Sequence, residues 1–196
     1  MNTEQSTEVP EKNENRTPAT GRSMYVTQRY QSKNLLFLTT LMDSMSMTVQ
    51  QFAMLTDNPN SFGTNLRRYL KMDDMKISKA KEYVAILGYN LDINFKETFK
   101  TIPPTPETQA EQDYDIILPP ELERTYDAEA ASLRNVGFLL TMMKLRRITK
   151  MQLAMDLDLS TGTVFEWFRN DDMYVSYLTK IQEMYGLRLE YAYKKK

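Results

Sequence analysis

Residues 148–168, ITKMQLAMDLDLSTGTVFEWF, and residues 47–70, MTVQQFAMLTDNPNSFGTNLRRYL, decide how this chain is read. In the later stretch Thr149 stands where a hydroxyl can cap the first unbonded N–H groups of a helix, and that helix buries Leu153 beside the small Ala154. A tight turn follows. Ser160 then caps a second helix whose inward face is Val164, Trp167 and Phe168. In the earlier stretch Thr48, Phe52, Ala53 and Ser61 take the same parts, the inward face is Leu66, Tyr69 and Leu70, and the turn TDNPNS is longer. A small residue at Ala53 or Ala154 lets the two helices approach closely.

Outward from these stretches the likeness continues, so the chain is an internal repeat. At an offset of 101, Phe37, Leu38, Thr40, Met42, Thr48, Gln51, Ala53 and Met54 fall on identical residues between Phe138 and Met155. After one three-residue insertion around Asn58–Asn60 the offset becomes 98, which takes Asp73-Asp74-Met75 onto Asp171-Asp172-Met173, Ser78 onto Ser176, Gly88 onto Gly186 and Leu91 onto Leu189. Each repeat opens on an amphipathic helix, marked by Leu35, Leu38, Leu41 and Met42 or by Val136, Leu139, Leu140 and Met143. The paired aspartates are expected to cap a fourth helix, which ends at Gly88 or Gly186, where glycine accepts the left-handed conformation. Strict alternation closes each repeat, Leu91-Ile93-Phe95 and Leu187-Leu189-Tyr191-Tyr193, the signature of a half-buried strand. The expected fold is mainly α, with two tandem helical units each followed by a short β-strand.

Composition sets the boundaries. Residues 1–23 contain one large apolar residue after Met1, Val9, and read as a disordered tail. Residues 101–120 carry Pro103, Pro104, Pro106, Pro119 and Pro120 among acids and read as an extended linker. The folded units are then 24–100 and 121–196. The 196 residues hold no Cys and no His, which excludes disulfides, thiolate zinc sites, a cysteine nucleophile and the commonest general base. No catalytic residue, cofactor or metal is expected, and the protein is not read as an enzyme. The paired aspartates lack the further oxygen ligands of a cation site, Trp167 reads as core, and many of the 14 Met residues read as adaptable filler. The apolar runs fall well short of the roughly 18 residues that span a bilayer, and the polar start lacks a signal-peptide core, so a cytoplasmic location without membrane contact is expected.

A net charge of −1 argues poorly for a polyanion partner until it is divided along the chain. Residues 24–100 carry +3, residues 132–196 carry +4, residues 101–131 carry −7 and the tail −1. Both repeats are mildly basic, and the acid gathers in the connecting segment.

The Thr cap, the Leu-Ala pair, the turn, the Ser cap and the Val-x-x-Trp core of residues 148–189 resemble the helix-turn-helix of the phage repressor and Cro-type (lambda-repressor-like) family; the first repeat carries the pattern less clearly. In that family the second helix spans the phosphate backbone, and the third enters the major groove of double-stranded DNA. The resemblance implies reading positions at Gly63, Thr64, Asn65, Arg67 and Arg68, with Lys71 at the helix end and Thr48 and Gln50 at the start of helix two. Asn can bond adenine and Arg guanine bidentately, while hydroxyl and amide groups fix phosphates. The equivalent surface of the second repeat is Thr161, Gly162, Thr163, Phe165 and Glu166, with Arg146, Arg147 and Lys150 suited to phosphate. Glu166 and Phe165 depart from the pattern: an acid is repelled by phosphate unless it accepts from cytosine, and an exposed Phe suits a thymine methyl or a partner protein equally well. The same basic residues could instead simply solvate a helix face.

The closing strands, 89–96 and 187–194, have one apolar face each and should pair, either within one chain about a pseudo-twofold axis or between chains in a homodimer. In the first case two units about 34 Å apart could engage successive major grooves. The expected function is a sequence-specific DNA-binding protein, a bacterial or phage-type transcriptional regulator. The alternative is a protein-interaction module that uses the same helices without base readout.

Overall fold

The computed structural model describes residues 29–97 and 120–196; the expectations for the tail and for most of the linker lie outside them. The chain is mainly helical, with one small two-stranded antiparallel sheet. The first half runs α1 (Leu36–Ser44), α2 (Val49–Ala53), α3 (Pro59–Met72), α4 (Ile77–Ile86) and β1 (Tyr89–Glu97). The second half runs α5 (Pro120–Ser132), α6 (Gly137–Leu145), α7 (Lys150–Asp156), α8 (Thr161–Arg169), α9 (Val175–Tyr185) and β2 (Leu187–Lys195). Among the described residues no helix is long and apolar enough to cross a membrane.

Local chemistry accounts for most boundaries. Thr48 starts α2 in a reciprocal cap: its hydroxyl accepts the Gln51 N–H while the Gln51 amide oxygen accepts the Thr48 N–H. Thr149 and Ser160 accept the Gln152 and Thr163 N–H groups at the starts of α7 and α8. Glycine follows both final helices in the left-handed region, at φ +88° for Gly88 and +60° for Gly186.

Two expectations are corrected. The three-residue insertion around Asn58–Asn60 does not lengthen the turn; it adds a helical turn to α3, because Asn58 rather than Ser61 caps the helix and Pro59 fills its first position, where a missing N–H costs nothing. The paired aspartates also do different work from that expected. Asp73 accepts the N–H groups of Lys33, Asn34 and Leu35 at the entrance to α1, and Asp171 does the same for Arg134, Asn135 and Val136 before α6. Asp74 and Asp172 do cap fourth helices, but each caps the helix of the opposite half. Asp172 accepts the Ser78 N–H and hydroxyl at 3.0 and 2.7 Å, and Asp74 accepts those of Ser176 at the same distances.

That exchange is part of a pseudo-twofold arrangement. β1 and β2 pair antiparallel within the chain, from Tyr89 opposite Lys195 to Glu97 opposite Leu187. The central pair, Ile93 and Tyr191, consists of equivalent positions at the offset of 98, so the axis passes between them. It passes again between Lys76 and Tyr174, where the Ile77 N–H reaches the Met173 carbonyl and the Val175 N–H reaches the Met75 carbonyl, each at 2.9 Å.

Each strand also covers a helix of the other half, β2 on α1 and β1 on α6. The Phe37 ring of α1 stacks on Tyr191 of β2 at 4.5 Å, and Phe138 of α6 meets Phe95 of β1 at 5.7 Å. The buried side chains of both halves, from Leu35 and Met42 to Val136 and Ile181, therefore form one continuous core.

The sequence reading also lacked α5. This helix lies so close on α6 that a Cβ on Gly137 would sit 2.5 Å from the Ala130 carbonyl oxygen, and Tyr126 is buried beneath it. Part of the acid assigned to the connecting segment, Glu121, Asp127 and Glu129, thus sits on a folded helix. The equivalent of Gly137 in the first half is Leu36, which is exposed.

Candidate nucleic-acid interface

In the first half, α2 and α3 present a face that carries polar and cationic side chains, with Met54 and Met72 exposed beside them. Gln50 on α2 and Thr64, Arg67, Arg68 and Lys71 on α3 are exposed. Their spacing follows from the helix: Thr64, Arg67, Arg68 and Lys71 recur at i, i+3, i+4 and i+7 and therefore line one stripe, opposite the buried Leu66 and Leu70. Among the described residues, no carboxylate lies within ion-pair distance of Arg67, Arg68 or Lys71. The Arg68 guanidinium lies over the Tyr69 ring, 5.2 Å from its centroid, a cation–π contact within an exposed side chain.

Three members of the expected set are placed differently. Gly63 is buried where α3 crosses α2, and a Cβ there would meet the Ala53 Cβ at 3.4 Å; it serves helix packing, not base contact. Thr48 spends its hydroxyl on the Gln51 cap. Asn65 is half-buried in a crevice with Phe62, Tyr69, Lys79 and Tyr83. In their place the added turn of α3 brings out Asn58, Asn60 and Ser61, all exposed. The Asn58-Pro59 pair carries the signal for them, being a cap followed by the residue favoured at the first helical position.

The second half differs at nearly every equivalent position. Lys150, placed for phosphate by the sequence, bonds both oxygens of Glu129 on α5 at 2.6 and 2.8 Å and leaves only 15% of its side chain exposed. Its ammonium also lies 4.4 Å from the Phe168 ring centroid and 5.6 Å from that of Phe165. Lys144 is paired at 2.7 Å with Asp127, which is also on α5. Arg146 turns back to donate to the Tyr185 carbonyl at 3.2 Å, whereas Arg147 is exposed. Thr161 is exposed, and the Thr163 hydroxyl shares a hydrogen bond with Ser160. Where the first half has Gln50, Arg67 and Arg68, the second has Met151, Phe165 and Glu166, all exposed.

The electrostatics behind these faces favour rigidity. Burial pushes the Tyr83 hydroxyl, under α3, up to about 12. Burial also raises Tyr185 above its ordinary range, helped by the hydrogen bond its hydroxyl donates to Asp156. Both phenols stay neutral through the physiological range and act as fixed packing and hydrogen-bonding groups. Comparison with family models, with curated proteins and with solved structures finds no match for this chain.

Proposed function

We propose that this protein is a sequence-specific binder of double-stranded DNA that regulates transcription by occupying its site, with its first half as the reading head. The observation that carries this reading is the stripe of Thr64, Arg67, Arg68 and Lys71 on the fourteen-residue α3, cationic, exposed and without a carboxylate partner among the described residues. Read as a lambda-repressor-like unit, α2 crosses the phosphate backbone and α3 lies in the major groove. Gln50 and the Asn58–Ser61 turn then face phosphates and base edges, and Arg67 and Arg68 supply bidentate donors for guanine or phosphate. The second half contributes less to DNA, because Lys150 and Arg146 are turned into the fold.

Selection of bound oligonucleotides from a random pool tests the reading directly. A recovered consensus supports it, and Arg67→Ala or Arg68→Ala then weakens binding to that site by about 1–3 kcal/mol for each base that the arginine reads. Absence of salt-sensitive binding at micromolar protein overturns it. The second reading, an assembly module without base readout, is favoured by the apolar and acidic face of α7 and α8.

A further inference from the structure

The crevice between α3 and α4 has a volume of about 210 Å³ and an aromatic wall: the Tyr83 ring lies 4.6 Å from that of Phe62 and 6.2 Å from that of Tyr69, between centroids. Tyr83 is only 2% exposed, yet the surface it keeps includes its hydroxyl, which has no hydrogen-bond partner among the described residues. The Asn65 amide and the Ser61 hydroxyl line the same crevice, and among the described residues neither has a hydrogen-bond partner. Buried donors and acceptors are paired almost without exception, so a buried phenol left open in a crevice marks a place for a partner from outside the chain. The second half is different at the equivalent place. At the offset of 98, Ser61, Lys79 and Tyr83 become Leu159, Tyr177 and Ile181. There Ile181 is fully buried, and the rings of Trp167 and Tyr177 pack at 4.8 Å.

We propose that the crevice of the first half binds a small, uncharged, planar nitrogen heterocycle of the nucleobase kind, its ring against the aromatic wall and its polar edge on the Asn65 amide and the Tyr83 hydroxyl. Volume limits the ligand. The crevice is smaller than the roughly 300–1,000 Å³ of sites for drug-sized molecules, so it takes one ring system and no more. Charge limits it too, because the two charged side chains of the wall, Lys79 and Glu82, are paired with each other at 2.6 Å. An amide donates and accepts side by side, which matches a ring edge that does the same, and aromatic side chains stack on such rings. Asn58 and Ser61 stand both on the crevice and on the face assigned above to DNA. The binding itself does not depend on that assignment, so its test uses no duplex.

NMR titration of the full chain with free adenine, and separately with cytosine, is expected to move tyrosine ring signals saturably, with a dissociation constant of about a millimolar or tighter. Tyr83→Phe removes only a hydroxyl and Asn65→Ala only an amide, and each should weaken binding about three- to tenfold. Circular dichroism shows that the variants are folded, and the half-buried Asn65 keeps the test open should Tyr83→Phe disturb the core. Indole, similar in size but with a donor and no acceptor, should bind more weakly than adenine by about tenfold. No saturable shift with either base, affinity unchanged in both variants, or indole binding as tightly as adenine each overturns the proposal. So does Tyr83-dependent binding of a short single-stranded oligonucleotide when the free bases fail, which would make the crevice a nucleic-acid contact.

Discussion

The carboxylate of Asp74 holds the N–H and the hydroxyl of Ser176, 102 positions further along the chain, at 3.0 and 2.7 Å, and Asp172 holds Ser78 in the same way. Each half of the protein therefore begins its fourth helix on a group that the other half supplies. Loss of one cap should cost about 0.5–2 kcal/mol. Asp74→Ala and Asp172→Ala are expected to lower the urea midpoint without changing helical content at zero denaturant, and Ser176→Ala should produce a smaller effect, because the serine N–H keeps its acceptor.

Gly63, inside α3, and Gly137, the first residue of α6, make opposite predictions. Gly137→Ala drives a methyl to 2.5 Å from the Ala130 carbonyl, so α5 must move; a loss of about 1–3 kcal/mol is expected. At Gly63 the added methyl only reaches ordinary contact with Ala53 at 3.4 Å, and the better helix propensity of Ala offsets any crowding, so stability should change by less than about 1 kcal/mol. Thermal unfolding of the two variants side by side checks both.

Lys150→Met separates structure from DNA contact. The substitution leaves Glu129 part-buried and unpaired, and the expected cost is about 1–3 kcal/mol of stability. Affinity for a selected DNA site and the slope of that affinity against salt should remain those of the wild type. A shallower salt slope would mean that Lys150 leaves Glu129 for a phosphate.

High pH should unfold the protein through its buried phenols. Tyr83 and Tyr193 are both pushed up to about 12 from 10.0 by burial, so in this range the unfolded chain loses protons that the folded chain keeps. The stability they contribute is complete below pH 10 and falls as the pH rises towards 12. Lys81, lowered by its own burial, acts in the opposite sense, as a single group. Phenolate absorbance should rise together with the loss of helix, and Tyr83→Phe should shift that transition to higher pH.

Much of this architecture is written locally. The caps at Thr48, Thr149 and Ser160, the terminal glycines 88 and 186, the inward faces of α3 and α8 and both strands follow from side-chain type and period, which act within one turn of the residue concerned. The exchange between halves does not. A sequence shows that Asp74 can cap a helix, but not which of two equivalent helices stands opposite it, since that depends on how two units dock. The helix α5 was obscured for another reason: its acids and the prolines before it share the composition of a linker, and the apolar stripe of Tyr126 and Ala130 is short. At the candidate site Arg67, Arg68 and Lys71 follow from the resemblance to the helix-turn-helix family, and all three are exposed. The withdrawal of Lys150 was not legible, because its partner Glu129 belongs to α5.

The axis that relates the two halves runs between Ile93 and Tyr191 and again between Lys76 and Tyr174. In a true homodimer every residue on such an axis meets itself, and every change is made twice. Here a lysine faces a tyrosine and an isoleucine faces a tyrosine, and one half has gained a helical turn in α3 that the other lacks. Placing both halves on one chain removes the obligation to be symmetric. One outward helix face carries Arg67 and Arg68 where its equivalent carries Phe165 and Glu166, on one shared scaffold, and under the proposed function the site that such a molecule reads has no need to be a palindrome.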